Sequence, residues 1–300
     1  MKRLKRKSLN SGGIFPYLLV SIGVIHFLVF FVYVNANTFV LAFTRTTADG
    51  DSFSFYYFES LFSELALSGS VMISAMLNTF KYWTLTIVKL FLSFFIAYFF
   101  YKKVPLHGLY RVIFFLPSML PGIIVITVFK NFITTYGPLW SILNDVFNYE
   151  LPVLLSESAT ATNTILFFVL WSGFGVQMLI FVGALNRLPE SVLEAATLDG
   201  CNWTKEFRYI IIPFAWETLS IYLILAIGGL FMASGPILYF SGTKAQYNNT
   251  YTIDYWIYDK VIGGQLNYTA AVGLFFSVLS VPLALLSRWL LSRANKDLTF

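Results

Sequence analysis

Six stretches of about twenty mostly apolar residues divide the chain, at roughly 14–34, 79–101, 111–130, 164–184, 214–234 and 269–291. A hydrocarbon core about 30 Å thick needs a helix of about this length. The pattern therefore predicts an all-α integral membrane protein with six transmembrane helices. The third stretch carries Pro117 and Pro121 and should kink. Between the first two, residues 53–77 are aromatic and amphipathic with Glu59 and Glu64, which predicts a helix lying in the membrane interface. Residues 136–163, with Gly137, Pro138 and Pro152, read as an extracellular loop holding short structured pieces.

Composition narrows the class. Of the 300 residues, 57% are hydrophobic, 19% aromatic and 12% charged. The charged share is about half that of soluble domains. Too little polar surface remains to coat a water-soluble fold, which excludes an ordinary soluble enzyme, a disordered chain and a disulfide scaffold. Cys201 is the lone cysteine, so no intrachain disulfide forms. With only His26 and His107 beside it, no metal cage is expected. No paired carboxylates lie deep in the six stretches, which argues against an ion-gradient-driven secondary transporter. No catalytic constellation suggests a membrane-embedded enzyme.

Charge sets an expected orientation. With the N-terminus inside, the inner segments hold Lys2, Arg3, Lys5, Arg6, Lys7, Lys102, Lys103, Arg111, Arg187, Lys205, Arg208, Arg288, Arg293 and Lys296. The outer segments hold only Arg45, Lys130, Lys244 and Lys260. Positive residues stay inside, so both termini are expected in the cytoplasm of a multi-pass protein of the cell (plasma or inner) membrane. The basic start reads as a tail before a retained helix rather than a cleaved signal, because the apolar run is long and no small-residue cleavage site is clear. The expected organisation is a basic cytoplasmic tail at 1–13, a first helix with extracellular segment at 14–70, a core at 71–291 and a cytoplasmic tail at 292–300.

The inner connection at 186–213 carries the most specific pattern. Pro189 suits a first helical position, Glu190 suits a positive helix end, and Gly200 can close a helix left-handed, which predicts a helix over 189–199. A second helix is expected over 202–211, with Trp203, Phe207 and Ile210 or Ile211 on one face, broken by Pro213. Glu190 and Glu194 are like charges at i, i+4, and Ala195 and Ala196 are small enough for another backbone to approach. That surface suits docking better than solvation.

Glu194-Ala195-Ala196, three residues, Gly200, nine residues and Ile210-Ile211-Ile212-Pro213 resemble the EAA motif of ABC importer permeases, with Ile212 where leucine is usual. Trp171 through Leu185, followed by Leu188-Pro189, looks like the fourth-span signature of carbohydrate importers. Leu77-Asn78-Thr79, Phe115 through Pro121, Gly235-Pro236, Thr252 through Tyr258 and Tyr268 through Ala271 are similar to further parts of the maltose, lactose and glycerol-phosphate type. The resemblance implies a type I importer permease whose coupling helix-turn-helix (Glu190, Glu194, Ala195, Ala196, Asp199, Gly200, Ile210, Pro213) docks on an ATPase. It implies a second permease subunit, two ABC ATPase subunits and an extracytoplasmic binding protein as partners. It also implies a sugar or oligosaccharide moved by alternating access, the alternative being a non-sugar solute. The chain has no Walker loop, so ATP and Mg are expected on the partner ATPases, with no cofactor and no enzyme activity here.

Polar groups inside spans face a partner or a cavity. Trp171, Gly173, Val176 and Gln177 in the fourth span, with Gly229 and Ala233 in the fifth, are the expected substrate pathway. A Trp ring stacks on a sugar face, and Gln177 bonds hydroxyls. Helix packing at Gln177 and Trp171 stays equally open, as does close packing at Gly228-Gly229. Lys81 is expected to snorkel, and Lys89, deeper, to face protein or a cavity. His26 is expected to pack between helices.

Overall fold

The computed structural model describes residues 14–47, 50–149, 152–232, 235–242 and 249–296. The first span runs through α1 (Ile14–Phe27), a π-helical segment (Leu28–Tyr33) and α2 (Val34–Phe43). A two-stranded antiparallel hairpin follows, β1 (Thr44–Thr47) on β2 (Gly50–Phe53), with Thr44 opposite Phe53. It is braced by rings of Phe43, Phe53, Phe55 and Phe58 and by Arg45 over Tyr56 at 4.0 Å. Then come α3 (Tyr56–Ala66) and the long α4 (Val71–Tyr101). The single interfacial helix expected over 53–77 is thus divided. Gly69 turns the chain at φ +79°, and the Ser70 hydroxyl accepts from the Ile73 N–H at 3.2 Å to start α4 afresh. α3 also buries Leu61 and packs on the last helix through Phe62–Phe275 and Tyr268–Glu64, rather than lying alone on the bilayer.

The third crossing is α5 (His107–Met119) and α6 (Gly122–Ile133), interrupted at Leu120-Pro121. Pro121 supplies no N–H, so the ladder stops where two prolines predicted a kink. The apolar helical stretch long enough to span falls later than expected, at Gly122–Phe147, because the break at Leu120-Pro121 leaves α5 only 13 residues long. It takes in α7 (Pro138–Phe147), the structured piece of the 136–163 segment. The fourth span is α8 (Ala161–Ser172) and α9 (Gly175–Leu185). Next come α10 (Glu190–Leu198), α11 (Trp203–Glu206), a π-helical turn (Phe207–Ile211) and α12 (Ile212–Gly228). A 3-10 turn (Leu230–Met232), α13 (Ile237–Phe240), α14 (Ile253–Ile262) and α15 (Leu266–Lys296) complete the described chain. Six helices among the described residues are long and apolar enough to cross a membrane.

Two hydrophobic cores form at the two ends of α4. One gathers Met72, Ala75 and Tyr82 with Ile165, Ile253, Trp256 and Val272. The other gathers Leu90, Phe94 and Tyr98 with Met178, Phe181, Leu185, Ile211 and Leu219. Gly228 allows α12 to meet α15, since a Cβ there would lie 3.1 Å from Ala284 Cβ. The first span stays exposed along its length and packs only near its end, where Ala42 meets Ala270 and Ala271. In lipid such exposure carries no penalty.

A polar clasp closes the first core. Asn78 donates to the carbonyls of Asn249 (2.8 Å) and Tyr251 (3.0 Å), Thr79 Oγ1 accepts from the Ile253 N–H (2.9 Å), and Thr162 donates to Asn249 O (2.8 Å). Two motifs far apart in sequence, around Leu77 and around Thr252, are thereby one structural unit. Replacing Asn78 by Leu removes both donors from a buried site and is expected to destabilise the protein by about 2 kcal/mol. A lower thermal midpoint of the purified protein in detergent checks this, and an unchanged midpoint would refute it.

Candidate functional site

The first candidate surface is α10 and the turn after it. Gly200 has φ +75°, the Gly200 N–H donates to Thr197 O (3.1 Å), and the Cys201 N–H donates to Ala196 O (2.9 Å). This is a Schellman cap, which satisfies carbonyls that a helix end otherwise leaves bare. Glu190 to Leu198 form the helix, and Pro189 and Asp199 flank it. Leu193 packs inward on the second core, while Glu194, Ala195 and Asp199 are exposed and Ala196 is half-buried. Glu190 pairs with Lys103 at 3.3 Å, an exposed contact of little energetic weight. Leu198, 89% exposed, shares the outward face with Glu194 and Ala195. Sequence reading passed over it. The available signal was an apolar residue three and four positions from Ala195 and Glu194, off the face that Leu193 buries.

The second half of the loop departs from expectation. Pro213 does not break a helix. The π turn at 207–211 lets the Ile212 N–H reach Phe207 O, and Pro213 falls in the first turn of α12, where no N–H is needed. Trp203, expected to share one face with Phe207 and Ile210 or Ile211, is exposed while Ile211 is buried, and Glu206 is 5% exposed. Its carboxylate accepts from Lys102 Nζ (3.1 Å) and Tyr98 Oη (3.2 Å), both at the end of α4. Ile210 and Pro213 are half-buried, with Ile210 packed against the second core. The loop therefore joins an exposed helical face on α10 to an anchor carried by Glu206.

The second candidate lies between the two cores. On α4 the gap runs from Tyr82 to Leu90, and on the fourth span from Phe168 to Met178. The expected Trp171, Gly173, Val176 and Gln177 all fall in it. Gly229 falls in the corresponding gap of α12, whose end it closes by donating to Leu225 O (2.9 Å). Ala233 lies outside the described residues. The fourth span is interrupted here at Gly173-Phe174. A Cβ on Gly173 would sit 2.6 Å from Val169 O and 2.9 Å from both Cδ and Nζ of Lys89, and one on Gly175 would sit 2.4 Å from Ser118 Oγ and 3.0 Å from Phe114 O. Both positions thus need glycine for close approach. Gln177 Oε1 is buried without a hydrogen-bond partner. Trp171 rests on Phe129 (6.1 Å, stacked) and Phe168, yet stays 44% exposed. Lys81, expected to snorkel, is exposed and donates to Asn78 Oδ1 at 3.3 Å. His26 is exposed and touches Phe30.

Residues 89–296 match the family described as "Binding-protein-dependent transport system inner membrane component". The arabinooligosaccharides transport system permease protein AraP of Bacillus subtilis (strain 168) is 25% identical over 91% of this chain and 87% of its own. Among solved structures, a bacterial ABC transporter involved in the import of the acidic polysaccharide alginate superposes with a TM-score of 0.77 at 19% identity, over 93% of this chain and 95% of that one. A bacterial alginate ABC transporter in complex with an alginate pentasaccharide-bound periplasmic protein gives 0.77 at 18%, over 94% and 96%. At such identities the likeness is one of fold.

Proposed function

Because the chain belongs to the inner membrane components of binding-protein-dependent transport systems, we propose that it is one half of the membrane channel of an ATP-driven importer for an oligosaccharide. The carrying observation is the α10 face, a Schellman-capped helix that holds Glu194, Ala195 and Leu198 outward at the spacing of the EAA motif. A soluble ATPase docks there, on the cytoplasmic side that the lysine and arginine distribution assigns to both termini. ATP and Mg are bound by that subunit. This chain contributes a mechanical connection: α10 moves with the ATPase, and Glu206 conveys the displacement to Lys102 and Tyr98 on α4. The membrane equilibrium between inward- and outward-facing states then depends on the nucleotide state. A second permease subunit covers the exposed faces of α8 and α9, and an extracytoplasmic binding protein delivers the sugar. An oligosaccharide is favoured by the half-exposed Trp171 ring and the unpartnered Gln177 carbonyl in the interrupted span.

Reconstitution in liposomes with the second permease, the ATPase and the binding protein tests the reading. The expected result is sugar accumulation that requires ATP and stops when the ATPase is omitted. Accumulation driven by an ion gradient alone would sink it.

A further inference from the structure

A groove runs between α4 and α12 beside the second core. Its volume is about 490 Å³, and its walls are Val88, Phe91 and Phe95 from α4 and Ile212, Trp216 and Leu219 from α12, with Phe207 at one end. Val88, Phe91 and Phe95 are exposed, whereas the neighbouring Leu90, Phe94 and Ala97 turn into the core. The groove therefore opens sideways from the helix pair. Walls this apolar suit a hydrocarbon chain and give a sugar almost nothing to bond.

Both walls run into a basic residue at the same end. Lys102 follows Phe95 by seven positions on α4, about two turns. Arg208 precedes Ile212 by four positions and Trp216 by eight, again close to whole turns. Each basic residue thus continues the stripe of its own wall. Lys102 is already held by Glu206 at 3.1 Å. Arg208 is exposed, its guanidinium 5.7 Å from the Tyr209 ring, and it belongs to neither of the two salt bridges among the described residues. Glu217, beside Trp216, is not part of the groove wall. An apolar trench ending in an unpaired cation has the polarity of an anionic phospholipid, hydrocarbon at one end and phosphate at the other.

We propose that the groove seats an acyl chain of one anionic phospholipid of the cytoplasmic leaflet, with its phosphate on Arg208. The leaflet follows from the orientation in the reading above; the groove itself does not depend on which solute is carried. The seat adjoins the junction between the loop and α4: Phe207 directly follows Glu206, and Phe95 stands three positions before Tyr98. A bound chain packs against both rings and supports the Glu206 junction from the lipid side. The second permease subunit is the competing occupant, and it would bring no phosphate to Arg208.

The test is native mass spectrometry of the complete importer in mild detergent, offered equal amounts of dioleoyl phosphatidylglycerol and dioleoyl phosphatidylcholine. The chains are identical, so a preference reports the headgroup. Wild type is expected to retain phosphatidylglycerol over phosphatidylcholine. Arg208→Ala should lower that preference about five-fold, the worth of one basic residue at an anionic surface, and Arg208→Lys should keep most of it. Val88→Trp, which fills the groove from an exposed position, should abolish retention of the lipid. Equal retention of the two lipids by wild type, or a preference that neither Arg208→Ala nor Val88→Trp alters, overturns the inference. So does failure of Val88→Trp to assemble with the second permease, which would make the groove a subunit interface. Lipid retention is read without substrate or ATP, so a preparation that retains the lipid but shows no ATP-driven sugar uptake sinks the importer reading and leaves the lipid site standing.

Discussion

Leu198→Arg is expected to abolish ATP-driven uptake while leaving the fold intact. The side chain is 89% exposed at the last position of α10 and contributes to neither core. Burying a leucine against a partner is worth about 2 kcal/mol, so its loss weakens ATPase association by about 30-fold, and an uncompensated guanidinium in the interface weakens it further. Co-purification of the ATPase with the permease measures the effect. The thermal midpoint of the permease alone should not move. Leu198→Met, which keeps apolar volume, should retain the ATPase. Full retention of the ATPase by the arginine variant would remove α10 from the docking surface.

Glu206→Ala is expected to give the second large effect by a different route. The substitution strips Lys102 and Tyr98 of their shared acceptor at the junction of the loop and α4. Leaving such groups without a partner costs about 2 kcal/mol, moderated here because Lys102 is partly exposed. The midpoint should fall, and sugar moved per ATP hydrolysed should fall more than ATP hydrolysis itself, because the proposed docking face on α10 is left unchanged. Glu206→Gln keeps one carbonyl acceptor and should show the smaller defect. An unaltered ratio of sugar to ATP in both variants would show that force does not pass through this pair.

The two halves of the 186–213 loop illustrate what can be read along a chain. The cap at Gly200 was legible because it is local: a left-handed φ and two backbone bonds involve only residues 196–201. The inward turn of Glu206 was not legible. It depends on Lys102 and Tyr98 at the end of α4, about a hundred positions away, which no periodicity along the loop reveals. The second span began eight residues earlier than hydropathy suggested because the Ser70 cap and the burial of Met72 and Ala75 extend α4 beyond its most apolar stretch. The aromatic pattern of residues 53–77 predicts one amphipathic helix, whereas the left-handed Gly69 and the Ser70 cap divide that stretch between α3 and α4.

By itself, the sequence determined that this chain lives in a membrane, how many times its apolar stretches can cross, and where the helix before Gly200 caps. Hydrophobic length and short-range backbone chemistry are properties of consecutive residues. Tertiary structure alone decided that Asn78 clasps residues 249–251, that Glu206 ties the loop to Lys102, and that Lys89 rests on Gly173. Those partners lie from about eighty to more than one hundred and seventy positions apart. They meet because helices pack side by side at fixed depth, which no periodicity along one segment encodes.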